Sequence, residues 1–390
     1  MPQKGLEKRG GVPSSPFRLR RDKLRRGKRT FPKKGFFPSS SNNLYWEQSI
    51  KRKGTQMIRK IAFAGLRHGH INALFQAAQE SKELEITAIC EEDSAARQAF
   101  LDAHAGLDLP VYTSLETMLQ EADCDIVATG DYYGKRGAVI LSALKAGKHV
   151  IADKPLCTSL QELDEIEKLS AEKKLSVGCM LDLRTYDPFT TARKMILAGE
   201  LGKITQIQFG GQHPLLLNSR PHWYFEPGKH GGTINDIAIH AMDFIPWMTG
   251  MEITKFAAAR TWQAFDSGCD CFNDAAQFML VMENGCGVLG DVSYAEPDSH
   301  GYKMPHYWRF TVWGTKGVLE FNCIQNNMTA WINGEAEPRQ FTAEPYTGPR
   351  YLDWFLMELD GKEAEMNTAL ILKRARQTLE LQKLADDSKF

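Results

Sequence analysis

Two short segments carry side chains that could move a proton. In KHVIADKP, residues 148–155, an apolar run ends at Asp153-Lys154-Pro155. If that run is a buried strand, Lys154 stands at its carboxyl end, where open α/β sheets bind ligands. A lysine there can bind a substrate hydroxyl and, with a lowered pKa, relay its proton. In HGGTINDIAIHAMDFIPWMTG, residues 230–250, a glycine-rich entry leads into a helical pattern. Asp236 and His240 are four apart, so a regular helix puts them on one face, and Asp243 continues that face three residues on. A histidine beside a carboxylate can take the proton of an alcohol. Taken singly, each group has a plainer reading: a surface lysine before a turn, and a structural His–Asp pair in a core helix. No metal is expected, because His213, His222, His230 and His240 fall on different segments without ligand spacing.

A third segment could hold an anion. The strand pattern IRKIAFAG, residues 58–65, leads into Leu66-Arg67-His68-Gly69-His70 and then an amphipathic run. A dinucleotide fold needs glycine where the chain turns and where backbone N–H groups approach a pyrophosphate at a helix N-terminus. Gly65 suits the turn. Arg67 and His70 stand at the second and third glycine positions of G-x-G-x-x-G, with Gly69 one place early. Arg67 could instead set a guanidinium against the pyrophosphate. Glu91 follows Gly65 by 26 residues, at the end of the next strand pattern. It can accept from ribose hydroxyls, and with Glu92 it would repel a 2′-phosphate, so NAD is expected rather than NADP. The plainer reading is an ordinary strand–helix turn with surface Arg and His.

Periodicity supplies the elements that must position these groups. From Met57 short apolar runs alternate with longer amphipathic ones: strands at 58–65, 84–90, 125–130, 148–155 and 175–180, and helices at 71–81, 93–105, 114–121, 136–147 and 159–173. Thr113-x-x-Glu116 reads as a capping box, and Thr158 or Ser159 can cap the last helix. Strands alternating with helices imply βαβ units, and near-continuous apolar strands imply helices on both faces of a parallel sheet. After about residue 185 the pattern changes. A linking helix at 188–199 is followed by long extended runs, an Asn284-Gly285 hairpin, a second hairpin at 314–317 and a helix embedded at 233–249. The expected fold is α/β. It has an N-terminal Rossmann doubly wound parallel sheet over 57–184 and an α+β domain with a large, mostly antiparallel sheet over 185–362. A C-terminal helix over 363–390 is expected to pack back on the Rossmann domain.

Charge is divided along the chain. The formal net charge is zero, yet residues 1–56 hold 16 Lys+Arg against 3 Asp+Glu, which leaves the remainder at −13. The basic segment has no helical or strand period and should be disordered. A nucleic-acid arm or a transit peptide is conceivable there. Met57, however, opens a fresh strand pattern as a natural start would, so residues 1–56 are expected to stand apart from catalysis. An acidic body argues against a nucleic-acid partner. No apolar run nears the ~20 residues needed to span a bilayer, and no signal-peptide core is seen. Of eight cysteines only Cys269 and Cys271 are close, as C-D-C, which is not a zinc spacing. Free thiols in a reducing compartment, the cytoplasm, are expected.

Taken in order, these segments resemble the Gfo/Idh/MocA family of glucose–fructose oxidoreductases and inositol dehydrogenases, over about residues 57–385. The pattern AL-x-AGKHV-x-x-(E/D)KP is matched from Ala143 to Pro155. GG-x-x-x-D-x-x-x-H-x-x-D is matched by Gly231, Gly232, Asp236, His240 and Asp243, and W-x-x-(D/E)-P by Trp223, Glu226 and Pro227. The resemblance implies an NAD(P)-dependent oxidoreductase with an open-faced C-terminal sheet, through which members form dimers or tetramers. It implies that Lys154 is the EKP lysine and that Asp236 and His240 are the catalytic pair, with His240 accepting the proton. Asp153 replaces the glutamate of EKP. The T-P-N-x-x-H loop beside the nicotinamide is here Asp131-Tyr132-Tyr133-Gly134-Lys135-Arg136, with Arg136 at the histidine position. The expected cofactor contacts are therefore Gly65, Arg67, His68, Gly69, His70, Glu91, Asp131, Tyr133, Arg136 and Lys154. Arg184, Tyr186, His213, Arg220, His222, Trp223 and Lys229 are expected to face the interdomain cleft and bind a small polar, sugar-like substrate.

Three functions stay open on these grounds. The first is a dehydrogenase or reductase acting on a secondary alcohol of a sugar, inositol or sugar acid. The second uses the same redox step transiently, with tightly held NAD, for glycoside cleavage, elimination or epimerisation. The third is a non-catalytic nucleotide-binding sensor, suggested by the altered glycine loop and Arg136.

Overall fold

The computed structural model describes residues 58–265 and 267–388. The disorder expected of residues 1–56 lies outside them. Strands β1 (Arg59–Ala64), β2 (Leu84–Cys90), β3 (Val111–Tyr112), β4 (Ile126–Thr129), β5 (His149–Ala152) and β6 (Val177–Cys179) form one parallel sheet. Their order is β3-β2-β1-β4-β5-β6, the doubly wound arrangement, and it reverses between β1 and β4. Helices α1 (Ile71–Glu80), α2 (Ser94–Ala103), α3 (Leu115–Glu121), α4 (Tyr133–Lys145) and α5 (Leu160–Lys173) make the connections.

Local chemistry starts these helices. Asp93 accepts from Ala96 N–H at 2.8 Å before α2, and Ser159 accepts from Glu162 N–H at 3.4 Å before α5. The cap of α3 is Ser114 rather than the expected Thr113, because the Ser114 hydroxyl is the one that reaches Thr117 N–H, at 3.3 Å. Helix α1 has no side-chain cap. Helix α4 starts three residues earlier than its pattern suggested and takes Tyr133 and Arg136 into its first turn.

Beyond the first sheet come α6 (Asp187–Leu197), β7 (Ile204–Pro214), α7 (Ile239–Thr249), β8 (Ile253–Trp262), β9 (Ala275–Met282) and β10 (Gly287–Glu296). They are followed by β11 (Arg309–Gly314), β12 (Gly317–Asn322), β13 (Asn327–Ile332) and β14 (Arg339–Thr342). The second sheet runs β14-β13-β12-β11-β7-β10-β9-β8, antiparallel except where β10 lies parallel to β7. Both hairpins form where the sequence placed them, and Gly285 takes φ +84° in the first. One face of this sheet packs on α6 and α7 through Phe189, Phe244 and Phe310. The other leaves Met279, Leu289 and Trp331 exposed.

Two last helices tie the halves together. Helix α8 (Tyr351–Leu359) falls within the stretch expected to belong to the second domain, yet it packs on the first sheet. Its Leu352, Phe355 and Leu356 join Ile61 and Phe63, and Gly178 of β6 leaves the space that the Phe355 ring fills. Helix α9 (Thr368–Asp387) buries Ile371, Leu372 and Leu379 in the core of the first sheet, and Leu381 and Ala385 in that of the second. No helix among the described residues is long and apolar enough to cross a membrane. Phe355→Ala is expected to cost ~3–5 kcal/mol as the phenyl site empties, read as a lowered urea midpoint. An unchanged midpoint would show that α8 is not part of this core.

Candidate active site

The carboxyl ends of β1, β4 and β5 meet a π-helical turn, Ile234–Ala238, that precedes α7. Lys154 follows β5, and Asp236 sits in the turn. The Lys154 Nζ donates to Asp236 Oδ1 at 2.5 Å and to the Asp236 carbonyl at 3.0 Å, and both side chains are buried. Tyr133 donates to Asp236 Oδ1 at 2.7 Å, and Tyr294 donates to Oδ2. His230 Nε2 lies 3.0 Å from the Tyr294 hydroxyl and 3.5 Å from Asp236 Oδ2. Burial alone would raise the Asp236 pKa, but Lys154 and His230 hold it well below the usual carboxylate range. Burial and the Asp236 charge push the Tyr133 and Tyr294 phenols up, so both remain donors.

His240 does not pair with Asp236 as the four-residue spacing suggested. The π turn closes its hydrogen bonds one residue later than an α-helix, which changes the angle between Asp236 and His240, and Lys154, Tyr133 and Tyr294 take the Asp236 carboxylate instead. The carboxylate beside His240 is Asp182, with Oδ1 3.6 Å from Nδ1, and that nitrogen has no hydrogen-bond partner among the described residues. Burial, then Lys154, His70 and His213, push the His240 pKa well down, so the imidazole is neutral and able to accept a proton. Lys154 and His240 thus lie in one electrostatic neighbourhood. Asp182 and Tyr186 also line a cleft of about 960 Å³, together with Gln76, Lys82, Asn326 and Arg350.

Asp243, the third member of the expected row, is bound on both oxygens by Arg184, with Nε 2.7 Å from Oδ2. Arg184 is fully buried in that pair and faces no cleft, so it is not placed as a substrate donor. His222 also stays out of the site, because its ring projects into solvent beside Glu226. Lys229 pairs with Glu226 at 2.5 Å and lies over the Tyr132 ring. Trp223 stacks on Tyr224 at 4.2 Å and meets the Tyr133 ring edge-on, forming a wall of the site. Arg220 lies over the Tyr224 and Tyr294 rings, held by the Leu215 carbonyl at 2.9 Å. His213 is enclosed by the rings of Tyr294, Tyr302, Tyr307 and Trp308, and burial followed by Lys154 pushes its pKa down to about 3.

The loop between β1 and α1 can cradle an anion. Gly65 takes φ +75°, and a Cβ there would meet Asp131 Cβ at 2.6 Å. Among the described residues the backbone N–H groups of Arg67, Gly69 and His70 have no acceptor, and nothing lies within 4 Å of a Cβ built on Gly69. Free N–H groups at a helix start suit the pyrophosphate of a dinucleotide. The side chains differ from expectation in two places. Glu91 is buried and turned inward, accepting from Leu66 N–H at 2.7 Å, Asp93 N–H at 2.9 Å and Arg67 Nε at 3.1 Å. The exposed carboxylate at this strand end is Glu92, which Arg67 meets at 2.8 Å. Asp131 lies 3.5 Å from Arg67 and 3.4 Å from Lys135. Arg136 makes no open contact: it is fully buried and donates to the carbonyls of Asp131, Lys154 and Pro155 and to Asp153 Oδ2 at 2.8 Å. It braces the Lys154 turn from beneath. His68 is buried between Asp153 and the Tyr133 and Tyr224 hydroxyls, whereas His70 is half exposed.

Two family models match the chain: an oxidoreductase family with an NAD-binding Rossmann fold over residues 59–180, and the GFO/IDH/MocA C-terminal domain over 189–320. The chain belongs to the Gfo/Idh/MocA family. Within it, an oxidoreductase of Schizosaccharomyces pombe is 28% identical over 133 residues, 34% of this chain and only 36% of that protein. The inositol 2-dehydrogenase/D-chiro-inositol 3-dehydrogenase of Lactiplantibacillus plantarum is 23% identical over 273 residues, 68% of this chain and 72% of the relative. An oxidoreductase structure from Erwinia carotovora atroseptica shares the fold, with a TM-score of 0.74 at 23% identity, covering 84% of this chain and 98% of that one.

Sequence reasoning missed Tyr224, Tyr294, His230, Asp182 and Trp308 at the site. Tyr224 and His230 sat inside the segments that carried the family pattern. Tyr294 and Trp308 gave no signal beyond being aromatic residues of strand-like runs, and Asp182 none beyond its nearness to β6. The free-thiol expectation fails at Cys269 and Cys271, which are disulfide-bonded where a tight turn brings their Cα atoms to 5.3 Å. Arg184→Ala should leave the buried Asp243 charge unpaired and cost ~3–5 kcal/mol of stability. Chemical denaturation should show the loss while dinucleotide affinity per folded molecule holds. A shift in affinity with stability intact would put Arg184 back in the cleft.

Proposed function

We propose that the protein is an NAD-dependent dehydrogenase acting on a secondary alcohol of a sugar, inositol or sugar acid. The observation that carries this reading is the buried Lys154 ammonium, fixed by Asp236 at the carboxyl end of the parallel sheet, together with the buried His240 ring, whose Nδ1 has no hydrogen-bond partner among the described residues. When bound, nicotinamide supplies the hydride acceptor. Residues of this chain do the rest. Lys154 donates a hydrogen bond to the alcohol oxygen and eases the loss of its proton. His240, with Nδ1 3.6 Å from Asp182, takes that proton on Nε2, and the Asp236 charge favours the imidazolium. In the reverse direction the same proton returns to a carbonyl oxygen. Trp223, Tyr186 and His213 offer aromatic and polar surface for a polyol. The inositol dehydrogenase relative supports a polyol substrate. The exposed Glu92 carboxylate supports NAD over NADP, because it would repel a 2′-phosphate.

A panel of sugars and inositols should give reduced-nicotinamide absorbance with at least one member. Product without net absorbance would favour transient oxidation instead, and bound dinucleotide with no product would favour a sensor. His240→Ala should lower kcat by the ~10²–10⁴ typical of a lost general base while leaving NAD affinity nearly unchanged. Unchanged turnover would remove His240 from the reaction.

We also propose that copies associate through the open face of the second sheet. Met279 and Leu289 lie directly opposite each other there, both exposed. Sedimentation should find an oligomer that Leu289→Lys dissociates, and a monomeric wild type would refute this.

A further inference from the structure

We propose that His68, His70 and Asp153 form a binding site for one divalent transition-metal ion of the zinc class. The metal-free expectation rested on His213, His222, His230 and His240. The group that converges is a different one, made by the β1–α1 loop and the residue after β5. One nitrogen from each imidazole and one carboxylate oxygen lie within 4.8 Å of one another. Two imidazoles and a carboxylate are ligands that zinc takes readily, and a three-ligand set leaves a fourth position for water or a substrate oxygen.

The surroundings suit the assignment atom by atom. Asp153 Oδ2 is committed to Arg136 at 2.8 Å and to His68 Nδ1, while Oδ1 faces His70 Nδ1 at 3.2 Å and is the oxygen available to an ion. A ligating histidine usually donates its other ring N–H to a fixed partner. His68 Nε2 has two such partners, the Tyr133 and Tyr224 hydroxyls, each at 3.2 Å. Tyr133 gives its own proton to Asp236, so its oxygen can accept from His68 Nε2–H once an ion replaces the Asp153 Oδ2 contact at Nδ1. Entry is open from the His70 side, which is half exposed, and Gly69 between the two histidines has no neighbour to obstruct adjustment of the loop. Arg136 and Lys154 oppose a cation here, and the carboxylates of Asp153 and Asp236 that pair with them offset them. The plainer alternative is a hydrogen-bonded His–Asp–His cluster with no affinity for metal.

The site shares the β1–α1 loop with the pyrophosphate cradle, so its test contains no dinucleotide. The full chain is stripped with a chelator, dialysed against Zn(II) and analysed for bound metal. Co(II) loading adds a visible ligand-field spectrum. One ion per chain is expected for the wild type and for His222→Ala, a control that removes a solvent-exposed imidazole. His70→Ala should bind at least ~10-fold more weakly, since even an outer-shell partner is worth that much. His70 is exposed enough for the variant to fold, which circular dichroism checks. Wild-type protein without stoichiometric zinc, His70→Ala binding as wild type, or equal weakening in His222→Ala would each overturn the site. If His70→Ala does not fold, wild-type Co(II) spectra decide: a four-coordinate band with nitrogen ligands upholds it, and an aquo-ion spectrum overturns it.

Discussion

Lys154 and Asp236 bring a positive and a negative charge out of water at the junction of two sheets. Removing each ion from solvent costs several kcal/mol, so such a pair holds only where geometry offsets the loss. Here it does. The ammonium has the carboxylate at 2.5 Å and a carbonyl at 3.0 Å, and two tyrosines donate to the same carboxylate. The pair adds little net stability. What it does is fix one ammonium at the carboxyl edge of the parallel sheet and lock the π turn against it. The depressed pKa of His240, the raised phenols of Tyr133 and Tyr294 and the low pKa of His213 all take part of their shift from these two charges.

A second set of charges works beneath the first. Arg136 stands where the family places a histidine beside the nicotinamide, and it has been turned inward. Its guanidinium collects three carbonyls and the Asp153 carboxylate, which fixes the chain on either side of Lys154. Burial favours the neutral acid, yet Arg136 and His68 keep Asp153 ionised. At the glycine loop Arg67 fills the second glycine position, and Glu91 is drawn in to hold it. The loop keeps what a pyrophosphate needs, a tight turn at Gly65 and free N–H groups, while its side chains face carboxylates of this chain.

The fold was legible because its evidence is periodic. Buried strands of the first sheet are unbroken apolar runs, and the hairpin at Asn284-Gly285 is set by a residue that accepts φ > 0. Less legible was whatever depended on a break in period. The π turn converts an Asp–His spacing that a helix would pair into two separate partnerships, Asp236 with Lys154 and His240 with Asp182. Polar residues near a cleft could not be sorted by type alone. Arg184 turned out to neutralise Asp243, and His222 to sit in solvent, because those outcomes depend on which partner the fold brings near. Helix α8 joined the first sheet although its chain neighbours belong to the second, since Phe355 fills space that only Gly178 leaves.

The central claim is that Lys154 and His240 address one carbon beside a nicotinamide. The most direct measurement is a crystal structure of the full chain with NAD and an unreactive polyol bound together. A polyol carbon within about 3.5 Å of nicotinamide C4, with its hydroxyl between the Lys154 ammonium and the His240 ring, is the expected arrangement. A nicotinamide lying away from both side chains, with no polyol hydroxyl in hydrogen-bond reach of the Lys154 ammonium or the His240 ring, would contradict it.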